Sequence, residues 1–220
     1  MRIGILSDTH DQAARARSAV AILLAAGAEA LIHCGDVTTP DVVDEVVGVP
    51  AYFVFGNCDY DLDALRLAMR RTGATCLGRG GLIELGGRRI AVVHGDSPRD
   101  YARLAAEAPD YIFSGHTHLR RDVREGATRH INPGALHRAS TFTVGLLDLA
   151  GDEYTSLAVP RRRPPPRSMA EQELLGVDEH PGEVLDGRAG VLGILQVLDG
   201  RVHLGRRGGA GEGDEVQVLG

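Results

Sequence analysis

Short polar motifs recur in the first part of the chain, each placed directly after an apolar run. In chain order they are Asp8-Thr9-His10, Gly35-Asp36, Gly56-Asn57, His94-Gly95 and Gly115-His116-Thr117-His118. Carboxylate, amide and imidazole side chains are ligands that suit borderline divalent metals such as manganese, iron, zinc and cobalt. The set does not depend on thiolates, which argues against a structural zinc site. These residue types indicate a metal centre that keeps open positions for chemistry.

The candidate ligands outnumber what a single ion with an open position takes from a protein. They are Asp8, His10, Asp36, Asn57, His94, His116 and His118. Two ions roughly 3.5–4 Å apart, bridged by one carboxylate, would use such a set well. A pair of this kind lowers the pKa of a bridging water toward neutrality and clamps the oxygens of a phosphoryl group. We expect two divalent cations, manganese first, with iron, zinc, nickel or cobalt as alternatives.

These motifs need elements that bring the ends of several strands to one edge. Apolar runs predict strands and helical spacing predicts helices: strands 2–6, 29–36 and 51–57, helices 13–26, 41–47 and 61–72. We expect Asp11 to cap the first helix. The β-α-β-α-β order favours a largely parallel sheet, and ligands bind at the carboxyl ends of such strands.

The pattern changes in the middle of the chain. A hairpin turning at Gly86-Gly87 is followed by a helix over 98–107 and a strand over 110–118. On that strand His116 and His118 would share one face. Four further strands up to residue 159 are expected to run antiparallel to one another. A mixed α/β sandwich of two sheets fits this order better than a single doubly wound sheet.

The composition changes again at Pro160, where a stretch rich in proline and arginine begins. We take it as an extended linker between a domain of residues 1–160 and an extension of residues 161–220. Residues 190–207 predict a β-hairpin with its turn at Asp199-Gly200. That hairpin could pair with an edge of the main sheet or with a second copy of the chain, which would make a homo-oligomer.

Charge and apolar patterning exclude several classes of protein. The net charge is −6 without a long basic tract, which argues against nucleic acid as a partner. No run approaches the roughly 18 apolar residues of a membrane span, so no membrane partner is expected. Three scattered cysteines form neither a disulfide framework nor a metal pair, and they point to a reducing cytoplasm. Cys34 and Cys76 are expected to be buried as small apolar residues.

Taken together and in this order, the five motifs resemble those of the calcineurin-like metallophosphoesterases, especially their small bacterial and archaeal phosphodiesterases. The resemblance covers residues 1–160 and implies a four-layer α/β/β/α sandwich that hydrolyses phosphoesters with metal-bound hydroxide. It assigns a first metal to Asp8, His10 and His118, and a bridge to Asp36. It assigns a second metal to Asn57, His94 and His116. Asp36 and Asn57 are thereby also the candidate catalytic residues.

The chain departs from many members of this family at two positions. Cys58 stands where many have a histidine that protonates the leaving group or stabilises the transition state, and Asp96 stands where many have a further histidine. We therefore do not count Asp96 as a ligand. Residues 131–136 resemble the family's Asn-Pro-Gly-Ser segment beside the site. The candidate substrate contacts are Asn57, Cys58, Asn132 and His137.

A phosphodiesterase that acts on diesters with good leaving groups, or on cyclic diesters, is the function that this set favours. General-acid assistance contributes about 10²–10⁴-fold, and Cys58 replaces the residue that would supply it. Two alternatives use the same fold. A non-catalytic scaffold would bind partners through its surface, but such a protein would be expected to lack ligands. A metal-dependent nuclease is disfavoured by the net charge of −6.

Overall fold

The computed structural model describes residues 1–161 and the backbone of two strands near the C-terminus, Ile194–Leu198 and Arg201–Gly205. The chain divides into two compact units, Met1–Pro166 and Arg167–Gly220. The helices of the first unit are α1 (Ala13–Ala25), α2 (Pro40–Glu45), α3 (Leu62–Arg71) and α4 (Pro98–Ala105). None of the helices in the described residues is long and apolar enough to cross a membrane.

The first sheet begins with the strands predicted to be parallel. Its strands are β1 (Arg2–Leu6), β2 (Ala30–His33), β3 (Ala51–Phe53), β4 (Thr75–Cys76), β10 (Phe142–Asp148) and β11 (Glu153–Val159). Their spatial order is β11-β10-β1-β2-β3-β4. Strands β1 to β4 run parallel to one another, while β10 is antiparallel to both β1 and β11. The carboxyl ends of β1, β2 and β3 therefore meet at one edge.

The second sheet is built from the middle of the chain. Its strands are β5 (Gly80–Leu85), β6 (Arg88–Val93), β7 (Tyr111–Phe113), β8 (Arg121–Glu125) and β9 (Thr128–Asn132), in the order β5-β6-β7-β9-β8. The hairpin predicted around Gly86-Gly87 joins β5 and β6. Strands β6, β7 and β9 are parallel, and β8 is antiparallel to β9.

Alternating apolar side chains place each sheet between two layers. In β1, Ile3 and Ile5 pack into a core between the sheets, whereas Leu6 faces the core under α1, α2 and α3. Helix α4 covers the outer face of the second sheet through Leu104, which packs on Ala91 and Val93. The layers are thus helix, sheet, sheet and helix, and the predicted α/β/β/α sandwich is confirmed.

Several local predictions were wrong. Asp11 does not cap α1, because that helix begins after Gln12, which makes no side-chain capping bond. The strand predicted over 110–118 ends at Phe113, so the motif that follows it is a loop. Of the four strands after it, β8 pairs antiparallel with β9 and β10 with β11, as predicted, but β9 and β10 do not pair, because β9 joins β7 and β10 moves to the first sheet. Cys34 is buried, but Cys76 is exposed.

Near the C-terminus, the two described strands, β12 (Ile194–Leu198) and β13 (Arg201–Gly205), form an antiparallel pair. Leu198 is the register partner of Arg201, which agrees with the predicted hairpin. The predicted turn at Asp199-Gly200 and the linker after Arg161 lie outside the described residues.

Candidate metal centre

The five polar motifs meet in loops at the carboxyl ends of β1, β2, β3, β6 and β7. Backbone hydrogen bonds interlock these loops: the amide of Asp8 donates to the carbonyl of Gly35 (3.1 Å), and that of His10 to the carbonyl of Asp36 (3.0 Å). The amide of Gly115 donates to the carbonyl of His94 (2.8 Å), which joins the loops of the second sheet. The candidate ligands are therefore held by both sheets.

One group of ligand atoms comes from Asp8, His10 and His118, which lie within 4.8 Å of one another. Nε2 of His118 is 3.3 Å from Oδ1 of Asp8. Asp8 is fully buried, whereas both histidines are partly exposed, so the group opens to solvent on the histidine side. This is the set that the sequence assigns to a first metal.

The Asp36 carboxylate lies between this group and the remaining ligands. Its Oδ2 is 3.3 Å from Nε2 of His10, and its Oδ1 is 3.4 Å from Nε2 of His94. Asp8, Asp36 and His94 form a second group within 4.8 Å. One carboxylate thus faces ligands of both predicted ions, as a bridge must.

The second predicted set surrounds His94. Its Nδ1 donates to the carbonyl of Cys34 at 2.8 Å, so Nε2 is the nitrogen that faces Asn57 Oδ1, 3.1 Å away, and it would coordinate a cation once deprotonated. His116 joins from the β7 loop, with its ring centroid 5.2 Å from that of His94. The backbone amide of His116 also donates to the Asp8 carboxylate at 3.2 Å.

The sequence predicted that His116 and His118 share one face of a strand, and this prediction was wrong. Each lies in the loop after β7 with positive φ, 65° and 58°, and each turns toward a different group of ligands. Asp8, His10 and Asp36 also have positive φ. Such conformations are costly for residues other than glycine and persist only where the surrounding structure enforces them. This strain is concentrated on five of the predicted ligands.

The glycines in these motifs leave room for a ligand from a neighbouring loop. A Cβ atom on Gly56 would lie 2.5 Å from the backbone nitrogen of Asp36 and closer still to its carboxylate Oδ1. A Cβ atom on Gly115 would lie 2.7 Å from Oδ2 of Asp8 and would overlap the Ser7 hydroxyl. Contacts this short are not tolerated, so glycine is required by the packing of the ligands themselves.

Asp59 connects the loop after β2 to the loop after β3. Its buried carboxylate accepts hydrogen bonds from the backbone amides of Asp36 (3.1 Å), Thr38 (2.6 Å) and Gly56 (2.7 Å). Asp59 therefore supports these loops rather than capping the helix that follows. The cap of α3 is Asp61, whose side chain accepts from the amide of Ala64 at 3.0 Å.

His33 is fully buried and plays a structural role beside the centre. Gly35 donates its backbone amide to Nδ1 of His33 (3.2 Å), so Nε2 carries the proton and lies 3.0 Å from the hydroxyl of Thr9. That hydroxyl in turn donates to the carbonyl of Asp36 at 3.3 Å. Burial lowers the pKa of His33 to about 3, and the imidazole stays neutral. Thr9 was missed by the sequence analysis, because a threonine between two ligands carries no signal of its own.

The candidate substrate contacts lie at different depths. Cys58 faces the centre, with its Sγ within 4.8 Å of ligand atoms of His10 and Asp36. The ring centroid of His137 is 4.7 Å from that of His10, at the rim. Asn132 is buried, and its amide group donates to the carbonyl of Gly115 (2.7 Å), as a loop organiser would.

Asp96, which was not counted as a ligand, pairs instead with Arg79 through a contact of 2.8 Å between Oδ2 and Nη2.

The pKa values of the two buried carboxylates in the centre shift in opposite directions. Burial raises the pKa of Asp8. Burial acts in the same direction on Asp36, but in the metal-free protein the hydrogen bond and charge of a protonated His94 outweigh it and lower the pKa of that carboxyl. Asp36 therefore stays ionised.

The donor set fits divalent cations. The Nε2 atom of His10 is buried and has no hydrogen-bond partner within residues 1–161, although Asp36 Oδ2 is only 3.3 Å away. An uncompensated buried nitrogen facing a carboxylate is costly without a cation between them. Buried carboxylates beside imidazoles, with a carbonyl fixing the orientation of His94, form the arrangement that such ions require.

Comparison with known proteins agrees with this geometry. Residues 1–152 match the calcineurin-like phosphoesterase superfamily domain. A phosphodiesterase of Methanocaldococcus jannaschii is 27% identical over 166 residues, which cover 72% of this chain and 99% of that protein. A probable metallophosphoesterase of Methanothermobacter thermautotrophicus is 30% identical over 185 residues, or 77% of this chain and 98% of that protein. A solved archaeal phosphodiesterase superposes with a TM-score of 0.66 at 26% identity, over 72% of this chain and all of that one.

The chain belongs to the calcineurin-like phosphoesterases, the family that its motifs resemble. Its relatives carry the names phosphodiesterase and metallophosphoesterase. The chain is accordingly a metallophosphoesterase, a hydrolase of a family that uses divalent metals.

Proposed function

We propose that this enzyme is a phosphodiesterase with two divalent cations, and that it acts on diesters with good leaving groups or on cyclic diesters. The observation that carries the proposal is the Asp36 carboxylate, which faces His10 through one oxygen and His94 through the other. Asp8, His10 and His118 would hold one cation, and Asn57, His94 and His116 the other. Manganese is our first choice of metal for this mixed set of oxygen and nitrogen ligands.

Bound cations would supply what these side chains lack: they lower the pKa of coordinated water toward neutrality and neutralise the oxygens of a phosphoryl group. The protein's own contribution is to orient and to desolvate. The carbonyl of Cys34 holds His94 in the tautomer that presents Nε2, and the carbonyl of Asp36 and its loop are fixed through Thr9 and His33. His137 lies at the rim, where a substrate oxygen would arrive.

The preference for good leaving groups follows from Cys58. In the metal-free protein, burial and the nearby Asp36 carboxylate raise the pKa of this thiol to about 11. Cys58 stands where many members of the family carry an imidazole, whose protonated form is the stronger acid, so the leaving oxygen would depart without effective protonation by this residue. Aryl and cyclic diesters tolerate this loss better than unactivated alkyl monoesters.

The direct test is hydrolysis of bis(p-nitrophenyl) phosphate with added manganese, compared between the wild type and the variants Asp36→Ala and His94→Ala. We expect each variant to lose at least about 10²-fold in kcat/KM, since a metal ligand is removed. Arg88→Ala is a matched control, because Arg88 forms an exposed pair with Asp110 outside the site. Equal rates in all four proteins would rule the proposal out.

We further propose that the boundary between the catalytic domain and the extension lies after Pro160, and that the extension brings two copies of the chain together. The change of composition at Pro160 and the antiparallel pair β12–β13 support this proposal. Three free cysteines also favour our assignment of the enzyme to the reducing cytoplasm.

A further inference from the structure

A groove of ≈ 670 Å³ begins at His118 and continues away from the metal centre. It lies between the edge strands of the two sheets, β11 and β8, and the segment 139–141 lines it as well. The volume is within the range of about 300–1,000 Å³ that is typical of sites for small organic ligands. His118 belongs both to the groove and to the first group of ligands. A phosphoryl group held at the metal centre would therefore place one of its substituents at the mouth of the groove.

Many of the side chains that line the groove are polar. Ser140, Thr141 and Ser156 expose hydroxyl-bearing side chains, and the buried Thr143 hydroxyl donates to the carbonyl of Pro133 at 2.7 Å. Hydroxyl groups of this kind both donate and accept hydrogen bonds. The walls therefore suit a sugar-like or otherwise hydroxylated substituent better than a plain hydrocarbon.

Arg120 gives the groove its charge. Within residues 1–161 it has no ion pair and no hydrogen bond, in contrast to Arg121 and Arg124 on β8, which pair with Glu125 and Asp152. Its aliphatic part lies against Gly134, where an added Cβ would be 3.1 Å from Arg120 Cγ. A guanidinium whose stem is packed while its head is unpaired is suited to a phosphate, which it can bind through two parallel hydrogen bonds.

The acidic side chain of the groove walls already has a partner. The carboxylate in the groove, Asp122, is neutralised by Arg129, with a contact of 2.8 Å between Oδ1 and Nε. The unpaired charge in the groove is therefore positive.

We propose that this groove binds a hydroxylated substituent of the diester that carries a second phosphate, and that Arg120 binds that phosphate. The proposal rests on the proposed function, because the first phosphate must be held at the metal centre. It makes Arg120 a specificity residue for substrates with two phosphates, such as diesters of phosphorylated sugars or nucleosides.

The test uses binding, so that it does not depend on turnover. Calorimetry on the manganese-loaded full chain compares adenosine 5′-phosphate with adenosine 3′,5′-bisphosphate, which both keep the 2′-hydroxyl and differ by the second phosphate. We expect the bisphosphate to bind about 5- to 10-fold more tightly, as one charge-assisted contact at a partly solvated site allows. Arg120→Gln should abolish this preference. Arg124→Gln, the matched control on the same strand, should retain it.

Two results would overturn the proposal: equal affinities for the two nucleotides in the wild type, or an undiminished preference in Arg120→Gln. Hydrolysis of bis(p-nitrophenyl) phosphate by the same wild-type preparation is measured alongside. If hydrolysis is absent but the preference depends on Arg120, the proposed function fails and the groove assignment stands. If hydrolysis is present without the preference, the groove assignment fails alone.

Discussion

Replacing Gly56 with alanine tests how closely the loop after β3 approaches the Asp36 carboxylate. The added Cβ would lie 2.5 Å from the backbone nitrogen of Asp36 and 2.9 Å from its Cγ, and closer than either to Oδ1. The backbone there is held by Asp59, so the strain cannot be relieved by rotating one side chain. The carboxylate must move, and it then loses the hydrogen bond from the amide of Cys58 at 2.8 Å.

The cost can be worked from these contacts. Overpacking costs about 1–3 kcal/mol, and a lost hydrogen bond to a charged group about 1.5–3 kcal/mol. We therefore expect a loss of about 3–6 kcal/mol in the free energy of unfolding, a large share of the 5–15 kcal/mol of an ordinary domain. A shift of about 1 Å in a catalytic group costs roughly 10²-fold in rate.

The assay has three parts: urea unfolding in a chelator, calorimetry with manganese, and hydrolysis of bis(p-nitrophenyl) phosphate. Gly151→Ala is the matched control, because a Cβ on Gly151 meets only Glu153 at ordinary distances of 3.4 Å or more. That variant should behave as the wild type. A Gly56→Ala enzyme that unfolds at the wild-type urea concentration, binds two manganese ions and turns over normally would refute the reasoning.

Four other perturbations test different parts of the structure. Cys58→Ser should retain most activity, whereas Cys58→His should increase kcat for diesters with poor leaving groups; an inactive Cys58→Ser enzyme that still binds two metals would contradict this. In the metal-free protein, iodoacetamide at pH 8 should alkylate the exposed Cys76 first, because the pKa of Cys58 near 11 keeps the Cys58 thiol protonated. Cys58 should react faster as the pH approaches 11. Thr9→Val should lower the free energy of unfolding by about 1–3 kcal/mol, since it leaves the Nε2 proton of the buried His33 without an acceptor. Thr9→Ser keeps the hydroxyl and should keep the wild-type stability. Equal urea midpoints for the two variants would exclude the role of the hydroxyl. Ending the chain after Pro166 should preserve manganese binding and reduce the mass measured by light scattering to that of one chain, while an unchanged mass would show that the extension does not assemble the protein.

The sequence predicted the order of elements well, and it predicted the ligand loops for a physical reason. Apolar runs of strand length, such as residues 2–6, end directly in a polar motif, and parallel strands bring such ends to one edge. The glycines of the motifs are explained only by the structure. Gly56 and Gly115 are needed because Asp36 and Asp8, distant in the chain, occupy the space where a side chain would be.

Other features depend on contacts that no local pattern encodes. The sequence predicts that the strands after residue 120 pair one after another, but β10 does not pair with β9: it crosses to the first sheet and pairs with β1, since its inward-facing Leu147 joins the core of Ile3 and Ile5. The paired histidines were read as a strand because alternation is a weak signal over so short a segment. Positive φ at His116 and His118 turns them to different ligand groups, and local residue preferences disfavour that conformation.

By itself, the sequence determined the chemical types, the order and the strand-end positions of the candidate ligands, and it placed the thiol of Cys58 where many family members have a histidine. Only the tertiary structure decided which ligands face one another, that the Asp36 carboxylate lies between His10 and His94, and that a groove with an unpaired Arg120 adjoins His118. Residue types limit what a site can bind, whereas distances between loops of two different sheets arise only when both sheets pack on one core.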